Sequence, residues 1–232
     1  MGRPLRITLP NLPFHILNRG NNKQVVFRDK VDFIYYLELL KRYKKEFRFK
    51  LYHLSLMPNH VHLQMEPVEE GSLSRIMHRL TLAHTWYFNK KYHAVGHVWQ
   101  GRFKSSLIDK DDYFLQCGLY IELNAKRARL VEKPEDWSWS SYKLYAFGKT
   151  EPLVEEIIDL DPFYLGLADD SEKRQRVYRR MVEEAMKEDF LKKIRKGLDE
   201  GVFGASQFID KAKIEFKIKS LKPRGRPAKV GK

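Results

Sequence analysis

SLMPNHVHLQME, residues Ser55 to Glu66, places two histidines one residue apart just after a Pro-Asn pair. From His60 onward the polar residues His60, His62, Gln64 and Glu66 alternate with Val61, Leu63 and Met65. A period of two is that of a β-strand, whose successive side chains point to opposite faces. The apolar set therefore takes one face, and the two imidazoles stand side by side on the other. The preceding KLYHLSLM (50–57) alternates as well, and Pro58-Asn59 between the two runs is turn chemistry. These features predict an antiparallel hairpin, half buried, with an imidazole pair exposed at its mouth.

The flanking segments alternate between strand and helix. A strand is expected around PFHILNR (13–19), a helix over 30–47, then the hairpin, a helix over 72–92, a strand around VWQGRFKSSLI (98–108) and a helix beginning near Asp109. Apolar residues at 33, 34, 37, 40, 43 and 47 give the first helix a stripe that must be buried. Two helices packed on one face of an antiparallel sheet, an α+β architecture, is what this order predicts.

At 232 residues and 43% hydrophobic, the chain can bury one substantial core plus a smaller appendage. Its single cysteine, Cys117, excludes an internal disulfide and reads as a small buried apolar residue, which suits a reducing compartment. No apolar leader opens the sequence, and no run approaches the roughly 18 apolar residues of a spanning helix. The expected location is the cytoplasm, with no membrane partner. A net charge of +14 favours a polyanionic partner.

That charge is uneven. Residues 151–172 hold eight acids and no Lys or Arg, whereas 211–232 hold nine Lys or Arg and one acid. The expected organisation is a domain over 1–150, an acidic linker over 151–172, a small C-terminal helical module over 173–216 that is a candidate for DNA binding, and a basic tail over 217–232.

In the helix after Asp109, Phe114, Cys117, Ile121, Ala125 and Ala128 recur at helical spacing and should face the core. Beside them run Gln116, Tyr120, Asn124 and Arg127. A phenol, an amide one turn later and a guanidinium beyond it form an unusual line for a solvated face, although a partly buried tyrosine with polar neighbours also fits.

Five blocks, NRGNN (18–22), MPNHVHL (57–63), GHVWQGRFKS (96–105), YIELNAKRA (120–128) and WSWSSY (137–142), stand in an order and spacing that resembles the REP-associated tyrosine transposases, a group of single-tyrosine HUH transposases. The resemblance covers about residues 3–145. It implies the ferredoxin-like antiparallel sheet of HUH endonucleases. It also implies that His60 and His62 are paired ligands of one divalent ion, with Asn124 as a third polar ligand, and that Tyr120 is the nucleophile. The implied substrate is single-stranded or hairpin DNA, cut to leave a 5′-phosphotyrosine and a free 3′-OH. A monomer is implied, with a dimer left open. Where the family has Asn-Pro this chain has Asn124-Ala125, which leaves the helix free to continue through Arg129.

Elementary chemistry fits these roles. A phenol of pKa about 10 is a weak nucleophile at neutral pH and needs a metal to polarise the phosphate. Two imidazoles and an amide oxygen suit Mg²⁺ or Mn²⁺, the imidazoles favouring Mn²⁺ in vitro, whereas Zn²⁺ prefers a closed tetrahedral set. Arg19, Asn59, Gln100, Arg102, Lys104 and Arg127 lie in the matching blocks and are expected to line the DNA groove. KPRGRPAK (222–229) is similar to an AT-hook core, with Arg224 and Arg226 set for a narrow A·T minor groove; a solvated basic end fits equally. His53, His78, His84 and His93 stand outside every motif. Two other classes compete: a repressor of repeat elements with a vestigial HUH site, and a zinc hydrolase built on His-x-His. Intact His60, His62 and Tyr120 argue against the first, and the lack of a downstream His/Asp/Cys set against the second.

Overall fold

Pro58 and Asn59 turn the chain back on itself, pairing β2 (Phe49–Met57) with β3 (His60–Pro67) so that Met57 faces His60. The computed structural model describes residues 9–186 and 188–216, so the AT-hook-like tail, with Arg224 and Arg226, lies outside the described residues. Strand β3 pairs with β1 (Phe14–Arg19), and β1 with β4 (Lys104–Ile108), giving the order β2-β3-β1-β4 in an antiparallel sheet, the strand pairing expected. A fifth strand, β5 (Val202–Phe203), adds parallel to β4 and makes the sheet mixed. Two residues carry no periodicity, and β5 was not legible in the sequence. The strand expected from residue 98 begins only at Lys104; before it, Trp99 bridges Gly20 within a loop.

The helices are α1 (Lys30–Phe47), α2 (Ser72–Tyr92), α3 (Asp112–Glu122), α4 (Asn124–Arg127), α5 (Tyr142–Phe147), α6 (Pro152–Ile157), α7 (Pro162–Leu165), α8 (Ser171–Ala185), α9 (Glu188–Glu200) and α10 (Ser206–Glu215). Helix α1 starts at a capping box in which the Asp29 side chain accepts from Asp32 N and the Asp32 side chain accepts from Asp29 N. Packed on each other, α1 and α2 cover the apolar face of the sheet, where Val61, Leu63, Met65 and Ile16 are fully buried. No helix among the described residues is long and apolar enough to cross a membrane. Cys117 is buried, as expected, and burial pushes its thiol well above the usual range.

The polar face of the hairpin departs from expectation: it is covered, not solvated. Helix α3 lies across it, and His53, His62, Gln64 and Glu66 are all buried. Buried polar groups must find partners. Gln64 Nε2 donates to Phe114 O at 3.1 Å. His53, which belongs to no motif, sits with Nδ1 2.9 Å from Glu122 Oε1 and Nε2 3.0 Å from Asp161 Oδ2. Ser141 and Tyr178 donate to the two Glu122 oxygens at 2.6 and 2.5 Å, and Phe163 N donates to Asp161 Oδ1 at 2.7 Å. Burial disfavours the charge on His53, but the hydrogen bonds and charges of Asp161 and Glu122 outweigh it and push the pKa up to about 9.

Asp161 belongs to the acidic stretch 151–172, which is not a linker. Helix α6 packs on α1, and α7 packs on α3. The acids are concentrated there because their partners lie elsewhere: Asp159 Oδ2 accepts from Leu51 N at 2.8 Å and pairs with Lys44 at 2.7 Å, and Glu156 pairs with Lys41 at 2.8 Å. The helix that could have run through Arg129 instead breaks at Leu123, resumes as α4 and ends at Arg127, and Arg129 beyond it has φ +56°. Ala128, expected in the core, is therefore exposed.

Helix α3 approaches His53 closely because residue 118 is Gly: a Cβ there would overlap His53 Nε2. The ring cannot swing aside while two carboxylates hold it. Gly118→Ala is expected to lower stability by about 1–3 kcal/mol, the usual range for overpacking a core. Urea unfolding measures this, and an unchanged midpoint would show that α3 is not fixed at this height.

Candidate active site

On the face that α3 covers, β1 and β3 bring three imidazoles together. Register puts Leu17 opposite His62 and Arg19 opposite His60, so His15 lies diagonal to His62. Their rings stack at 5.1 Å, with His15 Nε2 2.9 Å from His62 Nδ1. The His60 ring stands 5.0 Å from that of His62, and its Nδ1 is 2.6 Å from Asn59 Oδ1. Glu122, fixed on His53, seats α3 so that Tyr120, two residues earlier, presents its ring edge-on to both His15 and His62, with centroids 6.0 Å away in each case.

One turn later Asn124 Nδ2 donates to Tyr120 O at 2.8 Å, and its Oδ1 accepts a long hydrogen bond from Arg127 Nη1 at 3.4 Å. The Arg127 guanidinium carbon stands 5.0 Å from the Tyr120 ring centroid. These groups line a cleft of about 430 Å³. Of the residues expected to contact DNA, Arg19, Gln100, Arg102, Lys104 and Arg127 all line it. Asn59 does not; its amide is occupied by His60 and by Lys23 O.

All three imidazoles are held neutral. His62 lies well below its ordinary pKa through burial, reinforced by His15, His60, Arg127 and Arg19. Burial and Arg19 lower His60 to about 4, and burial and Lys104 lower His15 to about 3. A neutral imidazole whose Nδ1 is engaged offers Nε2 as a metal ligand, the usual arrangement behind metal-binding histidines. His60 and His62 both meet that condition. Among the described residues no three His, Cys, Asp or Glu side chains form a group that could hold a metal, so a third protein donor beside His60 and His62 would be of another kind, such as the Asn124 amide. That open N, N, O set fits Mg²⁺ or Mn²⁺ better than a closed zinc site.

Sequence reasoning missed His15, Ser106, Arg195, Leu198 and Asp199, which also line the cleft. His15 sits at alternating spacing with Leu17 and Arg19, but only strand register shows that it meets His62. Nothing in the sequence places the helix carrying Arg195 beside Tyr120.

The site is thus a sheet carrying paired histidines beneath a helix-borne tyrosine. The sequence matches the family described as transposase IS200-like over residues 8–124, half of the chain, and the protein belongs to that family. Its fold is that of a REP-associated tyrosine transposase solved bound to a REP hairpin: the TM-score is 0.52 at 17% identity, covering 66% of this chain and 90% of that one. A transposase candidate from Deinococcus radiodurans R1 superposes more loosely, at TM-score 0.37 and 15% identity over 59% of this chain and 98% of that one. No curated protein matches the sequence.

If burial holds the pair neutral, nitrogen-detected NMR should show His60 titrating near pH 4 and His62 titrating well below the free-imidazole range. A midpoint near the free-imidazole value of about 6.5 for either ring would refute the electrostatic description of the site.

Proposed function

We propose that this transposase cleaves and rejoins single-stranded DNA at hairpin or repeat sequences through a covalent 5′-phosphotyrosine at Tyr120. The observation that supports this reading is the placement of the Tyr120 ring against His62 at the floor of a cleft rimmed by Arg19, Arg102, Lys104 and Arg127. Family membership supplies the transposase class, and the structural relative supplies a hairpin-bound precedent.

In this reading the rim cations hold the phosphate backbone across the cleft. The Tyr120 oxygen attacks phosphorus, the P–O3′ bond breaks, the phenol loses its proton and the departing 3′-oxygen gains one. Arg127, beside the ring, supplies fixed positive charge where phenolate character develops. His60, His62 and Asn124 would hold a Mg²⁺ or Mn²⁺ ion, which when bound supplies Lewis-acid polarisation of the scissile phosphate. His15 and Asn59 orient the two ligand rings through their Nδ1 atoms. Because the phosphotyrosine retains the energy of the broken bond, a 3′-OH can reverse the reaction with no nucleotide cofactor. Cleavage and strand transfer then share one site.

Tyr120→Phe preserves the ring's contacts with His15, His62 and Arg127 and removes only the attacking oxygen. With a labelled hairpin oligonucleotide and Mn²⁺, the wild type is expected to give a protease-sensitive adduct on a denaturing gel. Tyr120→Phe, His62→Ala or added EDTA should give none, while hairpin affinity is largely kept. An adduct that persists in Tyr120→Phe moves the nucleophile elsewhere, and one that persists in EDTA removes the metal.

A further inference from the structure

We infer that α9 is one wall of the DNA-binding cleft and that its Arg195, together with Lys104 of β4, binds a backbone phosphate of the substrate strand. This rests on the reading of Tyr120 as a DNA-cleaving nucleophile and extends it to a part of the chain beyond the family-matched residues 8–124.

The wall is fixed to the sheet. Ser106 Oγ, buried, donates to Leu198 O at 2.6 Å. Leu107 N donates to Gly201 O, and Asp109 N to Phe203 O, both at 2.9 Å, as β5 pairs with β4. Gly197 allows the Phe203 ring to close against the helix, where any Cβ would overlap it. The C-terminal end of α9 is thus part of the same body as Lys104, and Arg195, Leu198 and Asp199 line the cleft that holds Tyr120 and His62.

The charges mark where an anion goes. Asp199 is the single carboxylate among the described residues that line the cleft, against five Lys and Arg. Its Oδ1 lies 3.9 Å from Lys104 Nζ and its Oδ2 lies 3.8 Å from Arg195 Nε, so it sits between the two cations. Both separations are long, and all three side chains are more than half exposed, at 60%, 51% and 66%. Exposed pairs of this kind are weak. A phosphate offers the same kind of oxygen acceptors with more charge, and guanidinium prefers it for charge-assisted pairing. Asp199 therefore occupies the place of a phosphate and yields it when the strand enters.

An internal control is available in α8. Arg176 is 58% exposed and pairs with Glu172 four residues earlier at 3.8 Å, matching the i,i+4 pairing of Arg195 with Asp199, but it does not line the cleft. The test is fluorescence anisotropy with the full chain and a labelled hairpin oligonucleotide carrying single-stranded flanks, titrated at several salt concentrations. Arg195→Ala should weaken binding roughly 3- to 10-fold at low salt and reduce the slope of log K against log salt by about 0.7, the value of one single-strand phosphate contact. Arg176→Ala should change binding less than about twofold, since it removes the same charge without the contact. Asp199→Asn should tighten binding. Equal effects of the two arginine variants, or weaker binding by Asp199→Asn, would overturn the assignment while leaving a wild-type adduct, and so the chemistry at Tyr120, intact. A wild type that neither binds the hairpin nor forms the adduct overturns the underlying reading and the wall with it.

Discussion

His53, held between Glu122 and Asp161, is the interaction on which the rest of the structure depends. A buried ion pair is weak evidence for stability on its own, because desolvation offsets its attraction; removing one partner, however, strands a buried charge at a cost of about 3–5 kcal/mol. Here each partner comes from a different part of the chain: His53 from β2, Glu122 from the last turn of α3, and Asp161 from the N-cap of α7. Ser141 and Tyr178 complete the shell, and Tyr145 stacks on the His53 ring at 4.4 Å. Two carboxylates at fixed separation allow one height for the helix above the sheet. Tyr120 reaches His62 because that height is set two residues away.

The two groups of histidines beneath α3 show how surroundings decide the chemistry of one side chain. His53 faces acids and stays protonated, whereas His15, His60 and His62 face one another and Arg19, Arg127 or Lys104 and stay neutral. Burial opposes the charge in every case; the sign of the neighbours decides the outcome. The charged imidazole is structural, tying elements together through two N–H donors. The neutral ones each keep a lone pair, which the proposed metal-holding role of His60 and His62 requires and a protonated His62 would lack.

Much of this was legible in the sequence, where period and turn chemistry carry local information. The hairpin, the bounds of α1 and α2, and the gathering of His60, His62, Tyr120, Asn124 and Arg127 in one cleft all follow from spacings of two to four residues and from the matching blocks. What was not legible depends on long-range partners. Alternation separates polar from apolar residues but cannot tell a solvated face from one covered by α3, so Gln64 and His53 read as surface although both are fully buried. The acids of 151–172 read as a linker because Lys41, Lys44 and His53, which neutralise them, lie more than a hundred residues away. Asn59 read as a DNA contact from its block alone, while its geometry directs it to His60.

The donation from Tyr178 to Glu122 links positions 56 apart, and that from Ser106 to Leu198 links positions 92 apart. Contacts of such separation close late, since a long loop must lose its freedom before they form. During synthesis β1 to β4 and the tyrosine helix emerge first, but Glu122 lacks one donor until α8 is out, and the cleft lacks α9 until that helix has followed. The cleft is thereby kept from closing on a half-made chain, and it is complete only when the C-terminal helices are in place.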